Sequence, residues 1–145
     1  MAEFALVVPL CLVLFAITIE GARTFWAYQT VISGVRDAAR FVGRAAPSNI
    51  CTEGGTLASY DTTLQDIVEN TREGNTLFPA SISVNSVTSS LTCITDDFRL
   101  SQTPIVTVQA TLSIQYPFSS ILQLVNIQQS SVTTVVTDSS RVFGA

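Results

Sequence analysis

The sequence predicts an α+β fold, in which a long hydrophobic N-terminal helix packs on a small C-terminal domain with a second helix and a three- to four-stranded antiparallel sheet. An uncharged run over residues 4–19 continues into helix-compatible sequence up to about residue 44. A later segment has apolar residues at helical spacing, and two segments near the C-terminus alternate apolar with polar residues. With 145 residues and 47% hydrophobic content, the chain is long and apolar enough for one core.

The first predicted element is a helix from about Ala2 to Arg44. Apolar residues in its second half recur three and four positions apart: Phe25, Tyr28, Ile32, Val35, Ala39 and Val42. The helix should end between Gly43 and Pro47, because a residue before proline avoids the helical region. Its length would be roughly 64 Å at 1.5 Å per residue, about twice the ~30 Å hydrocarbon layer of a membrane. A plain anchor does not need the second half, whereas a helix that packs lengthwise against copies of itself does.

Two acids mark the ends of the apolar run. Glu3 stands where a cleavable secretory signal would carry a positive charge. A carboxylate at a helix N-terminus is favoured by the helix dipole, but at hydrocarbon depth it needs a partner, such as the free α-amino group of a neighbouring chain. Glu20 ends the run and can pair with Arg23, one turn later. Arg36 and Arg40 share one face of the same helix.

The rest of the chain, from residue 47 to 145, predicts a globular α+β domain. Its helix is expected within residues 56–75, with Gly74 as the C-terminal stop, since five apolar residues have helical spacing: Leu57, Tyr60, Leu64, Ile67 and Val68. We expect its acids to line an exposed face: Asp61, Asp66, Glu69 and Glu73. Together with residues 1–46, which form the helix, this gives two regions.

Three strands are predicted after that helix. The first covers Ser81 to Val87, the second Pro104 to Tyr116, and the third Ser130 to Ser139, with a turn or short helix over Leu122 to Ile127. The second alternates most clearly, and one face of it is apolar: Val106, Val108, Ala110, Leu112, Ile114 and Tyr116. One face of the sheet should therefore pack on helix, with the other facing solvent.

The cysteines divide between the two regions. Cys11 lies in the apolar run, where a free cysteine behaves as a small hydrophobic residue. Cys51 and Cys93 lie in the Ser/Thr-rich region and predict one disulfide. Closing a loop of about 43 residues would stabilise the fold by roughly 4 kcal/mol in the chain-entropy model. The alternative is a pair of reduced cysteines in a cytosolic domain.

The composition argues against several classes of function. The chain has no histidine, the commonest general base, and it has neither a glycine-rich phosphate loop nor a paired-cysteine zinc motif. Asp96 and Asp97 lack the glycine and spaced acids of a calcium loop, so we interpret them as a solvated turn. A net charge of −4 disfavours nucleic acid as a partner. We therefore expect no enzyme, no cofactor and no metal.

The front of the chain resembles a known family. The stretches AEFALVVPL and IEGARTFWAYQTVISGVRDAARFV are similar to the TadE-like pseudopilins of the tight-adherence (Tad) pilus system, a branch of the type IV pilus superfamily. The matching positions are Glu3, Phe4, Ala5, Leu6, Pro9, Glu20, Gly21, Arg23, Tyr28, Gln29, Arg36, Ala38, Ala39 and Arg40. The ending, with VTVQATLSIQYPF and a near-terminal Arg141, is also similar, whereas residues 45–100 show no resemblance.

The resemblance implies a pilin-like fold and a structural role. Such a protein is made as a single-pass precursor in the bacterial inner membrane, trimmed by a prepilin peptidase, and extracted by an inner-membrane assembly platform into an extracellular adhesive filament. Its partners would be copies of itself, other pilins and, before assembly, the lipid bilayer. The expected assembly residues are Glu3, Phe4, Leu6, Pro9, Leu10, Leu14, Glu20, Arg23, Tyr28, Arg36 and Arg40.

Three roles remain open at this point. The chain could be a main filament subunit, a minor priming pseudopilin beside a smaller major pilin, or a monomeric membrane-anchored binding module of the envelope. The binding module accounts for an anchor and a disulfide. It gives no reason for Glu3 or for the amphipathic second half of the helix.

Overall fold

The computed structural model describes residues 2–95, 102–123, 126 and 128–144, without the side chains of residues 2, 3, 5 and 6. The chain begins with a long helix, continues through short helices, and ends in a three-stranded sheet. The elements are α1 (Ala2–Ala45), α2 (Ile50–Glu53), a 3-10 turn (Ala58–Tyr60), α3 (Asp61–Glu69), β1 (Ile82–Ile94), β2 (Thr103–Gln115), α4 (Ser119–Gln123) and β3 (Ser131–Arg141). The predicted α+β fold is confirmed.

Helix α1 runs through Pro9 and ends at Ala45, within the predicted range. Its last turn has a partner from another element, because the hydroxyl of Tyr60 donates a hydrogen bond to the Ala45 carbonyl oxygen at 3.1 Å. Carbonyls at a helix C-terminus have no partner within the helix, so this bond satisfies one of them. At 1.5 Å per residue α1 is about 66 Å long.

The sheet is antiparallel in the order β1-β2-β3, so β2 is the central strand. The predicted alternation of β2 is confirmed, because all but the last of its predicted inward residues are buried: Val106, Val108, Ala110, Leu112 and Ile114. Tyr116 lies just beyond the strand and is half-buried. The predicted first strand was too short, since β1 continues to Ile94. Its Ser/Thr-rich second half pairs with β2 through Ser90 opposite Thr107 and Thr92 opposite Ile105.

The core lies between the sheet, α3 and the second half of α1. The α1 residues that face it are fully buried and mostly small: Ala27, Val31, Val35, Ala38, Ala39 and Val42. Phe25 and Tyr28, which belong to the predicted apolar stripe, lie outside this core, with 66% and 37% of their surface exposed. Small residues let the helix approach the sheet closely, and the larger aromatic residues are left facing outward.

Gly43 marks the closest approach of α1 to β3. A Cβ atom at this position would lie 2.8 Å from the Arg141 carbonyl oxygen and 2.8 Å from Oγ of Ser140. The Phe143 amide also donates a hydrogen bond to the Gly43 carbonyl oxygen at 2.8 Å. Glycine is therefore required at this position for steric reasons.

Helix α3 ends earlier than predicted. The backbone of Asn70 is extended (φ −120°, ψ 155°) and forms a bridge with Thr76. This pairing stops the helix at Glu69, and Gly74 (φ +80°) occupies the turn that follows rather than the helix cap. The predicted acidic face is only partly exposed. Asp61, half-buried, accepts a hydrogen bond from the Ser89 hydroxyl at 2.7 Å.

The predicted disulfide is confirmed. Cys51 in α2 is bonded to Cys93 near the end of β1, with 5.9 Å between their Cα atoms. The bond joins the segment that follows α1 to an edge strand of the sheet. The division into regions 1–46 and 47–145 stays a prediction.

Candidate assembly surface

The first half of α1 exposes large apolar side chains along its length. They are Phe4, Val7, Val8, Leu10, Leu12, Leu14, Phe15, Ile17 and Ile19, with exposed fractions from 37% to 74%. Apolar surface on this scale on a soluble protein marks an interaction or membrane site. In the described part of the chain, α1 is the one helix long and apolar enough to cross a membrane, over Val7–Ala45. The apolar helix is therefore compatible with membrane anchoring.

Glu20 lies where this exposed half meets the domain, and it is buried, with 4% of its surface exposed. Its Oε1 accepts a hydrogen bond from the Phe118 backbone amide at 2.7 Å. Its Oε2 lies 3.7 Å from Nη1 of Arg23, so the predicted pair forms. Arg23 in turn donates a hydrogen bond through Nη2 to the Ser81 hydroxyl. We call these four residues the Glu20 clamp; it ties α1 to the chain just after β2 and just before β1.

Only half of this clamp is predictable from the sequence. The charge of Glu20 at the end of an apolar run and its one-turn spacing from Arg23 were visible in the sequence. Phe118 contributes only a backbone amide, and Ser81 lies 58 residues from Arg23. Neither contact has a sequence signal, because both depend on how the sheet packs on the helix.

A groove lies beside the clamp, between α1 and the segment that follows β2. It has a volume of about 690 Å³. Among the described residues it is lined by Ile17, Glu20, Gly21, Thr24, Phe25, Tyr28, Tyr116, Leu122 and Gln129. Most of these side chains are apolar or aromatic. We call this feature the helix groove.

The remaining predicted assembly residues are spread along α1. Pro9, Leu10 and Leu14 are exposed on the apolar half. Arg36 is exposed and its Nε lies 3.9 Å from Oδ2 of Asp138 on β3. Arg40 is exposed as well. The structure brings Glu20 and Arg23 together, but it keeps this pair separate from Arg36 and Arg40.

Four residues that the sequence singled out for a role lie, wholly or by their side chains, outside the described part of the structure. The side chains of Glu3 and Leu6 lie outside the described part of the structure, and so do Asp96 and Asp97. Their predicted roles therefore stay predictions. Among the described residues, no three His, Cys, Asp or Glu side chains form a group that could hold a metal ion.

The family model described as TadE-like protein matches residues 1–40. The resemblance to TadE-like proteins is thus confirmed over the first forty residues. These residues form most of α1, including the exposed apolar half and the Glu20–Arg23 pair. No curated protein and no solved structure matches the chain. The match covers 40 of the 145 residues and does not extend to the sheet.

Proposed function

We propose that the protein is a pilin or pseudopilin of a Tad-type bacterial surface filament, in which the N-terminal helices of many copies pack together and the filament serves adhesion. Before assembly, α1 would hold the chain in the inner membrane. A prepilin peptidase and an assembly platform would then process the chain and extract it. Glu3 would neutralise the N-terminus of a neighbouring subunit.

One observation carries this proposal. The helix that matches the TadE-like model is 44 residues long; its second half is built into the core, and its first half exposes large apolar side chains. An anchor needs only about 20 apolar residues to span a bilayer. A continuous helix from the apolar segment into the core gives each subunit a protruding apolar rod that is rigidly joined to its domain.

The proposal predicts that Glu3→Ala abolishes filament assembly, whereas Glu73→Ala, which removes an exposed acid of the globular region, does not. Removing Glu3 leaves the neighbouring terminal ammonium without a partner in an apolar core, which disfavours packing. The measurement is electron microscopy of filaments sheared from the producing cells, with mass spectrometry of their subunits. Membrane insertion of both variants is checked by fractionation.

The same experiment separates the alternatives. A chain that dominates the sheared filaments is a main subunit, and a trace beside a smaller pilin is a minor priming subunit. If the wild-type chain is found only in membranes, or if Glu3→Ala assembles normally, intersubunit pairing by Glu3 is wrong. If the wild-type chain is found only in membranes, a membrane-anchored binding module becomes the better explanation.

A further inference from the structure

The isolated chain has far more surface than a compact protein of its size. Its accessible surface is 9283 Å², whereas a compact monomer of 15.5 kDa is expected to have roughly 7,200 Å². The difference of about 2,000 Å² exceeds the roughly 800 Å² that each partner buries in a protein–protein interface of standard size. The apolar half of α1 holds nine of the exposed large apolar side chains, so this is where an apolar occupant would bury the most apolar surface.

Two apolar features of α1 cover similar lengths of the helix but lie at different positions along its axis and on different faces. The first is a row of exposed residues, here called the N-terminal row: Phe4, Val7, Cys11 and Leu14. The second is the α1 side of the helix groove, formed by Ile17, Gly21, Thr24 and Tyr28. Both follow the three- and four-residue spacing that forms a ridge along a helix. At 1.5 Å per residue each covers about 15 Å of the helix.

We propose that the helix groove of one copy receives the N-terminal row of a second copy, in parallel orientation and shifted along the helix axis by about 20 Å. This inference rests on the proposed function and identifies where one neighbouring subunit binds. That subunit differs from the one whose N-terminus Glu3 would neutralise, because a shift of about 20 Å separates the two N-termini by the same distance. The shift follows from the thirteen positions that separate Cys11, in the middle of the row, from Thr24, in the middle of the groove.

The charges favour a second copy as the occupant. Residues 4–19 carry no charged side chain, so the row can enter the groove without burying a charge. The charged group that lines the groove, Glu20, is already held by the Phe118 amide and Arg23. The exposed ring of Phe25 at the groove adds apolar contact area. Every copy embedded in the same membrane supplies such a row in the same orientation.

The proposed contact is heterologous, because the row and the groove are different surfaces of the same chain. Heterologous contacts form rings when the rotation closes and filaments when it does not. An axial shift of about 20 Å per contact prevents closure. A chain with this pair of surfaces therefore builds an open-ended assembly.

The test uses Cys11, the only cysteine outside the disulfide, as a built-in probe. Thr24→Cys places a second thiol in the groove, and Ala22→Cys places one outside it, only about 3 Å away along the helix axis. Filaments and membranes from cells that produce each variant are treated with a short bismaleimide cross-linker. Dimers are measured on denaturing gels, and the linked peptides are identified by mass spectrometry.

We expect Thr24→Cys to give several-fold more dimer linked through Cys11 than Ala22→Cys. If filaments form but the two variants link equally, or Thr24→Cys links less, the groove contact is wrong while the proposed function stands. Such a result would indicate that lipid, or a different face of a second copy, fills the groove. If the wild-type chain forms no filaments, the proposed function fails as well.

A second pair of variants tests the same contact by obstruction. A Cβ atom at Gly21 meets no other atom within 4 Å, so a side chain can leave the helix there without a clash at its base, and Gly21→Trp places an indole at the groove. Ala22→Trp adds the same side chain outside the groove. We expect Gly21→Trp to abolish filaments while the disulfide and the unfolding transition stay intact, and Ala22→Trp to assemble. Normal assembly of Gly21→Trp would overturn the inference.

Discussion

Buried Glu20 has a hydrogen-bond partner on the backbone and an ionic partner on the same helix. The side chains of Glu20 and Arg23 are 5% and 27% exposed, whereas those of Arg36 and Asp138 are 55% and 41% exposed. Exposed ion pairs contribute about 0–1 kcal/mol, but a buried group that loses its partner costs more. At the scale of single residues, the Glu20 clamp should therefore matter more than the Arg36–Asp138 pair.

We predict that Glu20→Ala lowers the free energy of unfolding of the detergent-solubilised chain by about 1–3 kcal/mol, because the Phe118 amide loses its acceptor. Glu20→Gln keeps an oxygen acceptor and should lose less. Asp138→Ala is the matched control, with an expected loss of about 1 kcal/mol or less. Denaturant titration followed by circular dichroism measures all three. Equal losses for Glu20→Ala and Asp138→Ala would show that the clamp contributes no more to stability than the exposed Arg36–Asp138 pair.

At the scale of elements, the contact between α1 and β3 depends on the absence of a side chain at Gly43. A methyl group there would meet the backbone of Arg141 at 2.8 Å, and backbone cannot move aside as easily as a flexible side chain. The two elements would have to separate. Since Gly43 is in the same helix as the open position Gly21, the chain offers an internal control.

We predict that Gly43→Ala lowers the free energy of unfolding by about 1–3 kcal/mol through overpacking. Gly21→Ala should raise it by roughly 0.5–1 kcal/mol, because alanine is the better helix former and its Cβ meets no neighbour. Thermal unfolding of both variants provides the measurement. A stabilised Gly43→Ala protein would mean that α1 and β3 do not approach as closely as the structure has them.

At the scale of the whole molecule, the disulfide is the covalent link between the end of α1 and the sheet. It closes a sequence separation of 42 residues that includes α3 and most of β1. The short α2 that carries Cys51 has few other contacts with the sheet. The bond therefore holds the connection from helix to sheet in place.

We predict that replacing Cys51 and Cys93 together by serine lowers the free energy of unfolding by about 4 kcal/mol in the chain-entropy model. Reduction of the wild-type protein should have the same effect. Cys11→Ser, which leaves the disulfide in place, should change nothing measurable. Urea titration with and without reductant tests this, and a wild-type midpoint unaffected by reductant would contradict it.

The sequence allowed the fold to be predicted where periodicity is strong, and it failed where long-range pairing decides. The end of α1 and the inward face of β2 follow from local pattern. The second half of β1 does not, since its Ser/Thr residues form a strand because β2 is beside them. Helix α3 ends early for the same reason, as Asn70 pairs with Thr76 instead of continuing the helix.

The same distinction between local sequence pattern and long-range packing applies to the candidate site. The exposed apolar half and the Glu20–Arg23 pair were predictable from residue type and spacing. The groove was not, because Tyr116, Leu122 and Gln129 come to lie beside α1 only after the sheet has formed. Phe25 and Tyr28 were expected in an apolar stripe, and the small residues Ala27 and Val31 took the core positions instead.

The spread of contacts along α1 has a mechanical consequence. The domain holds the helix at Glu20, at Arg36 and at Gly43, points that span about 35 Å along the axis. A pulling force on the domain is therefore shared among contacts that are loaded together, in shear, rather than broken one after another as in peeling. The domain and its helix should withstand tension as a single load-bearing unit.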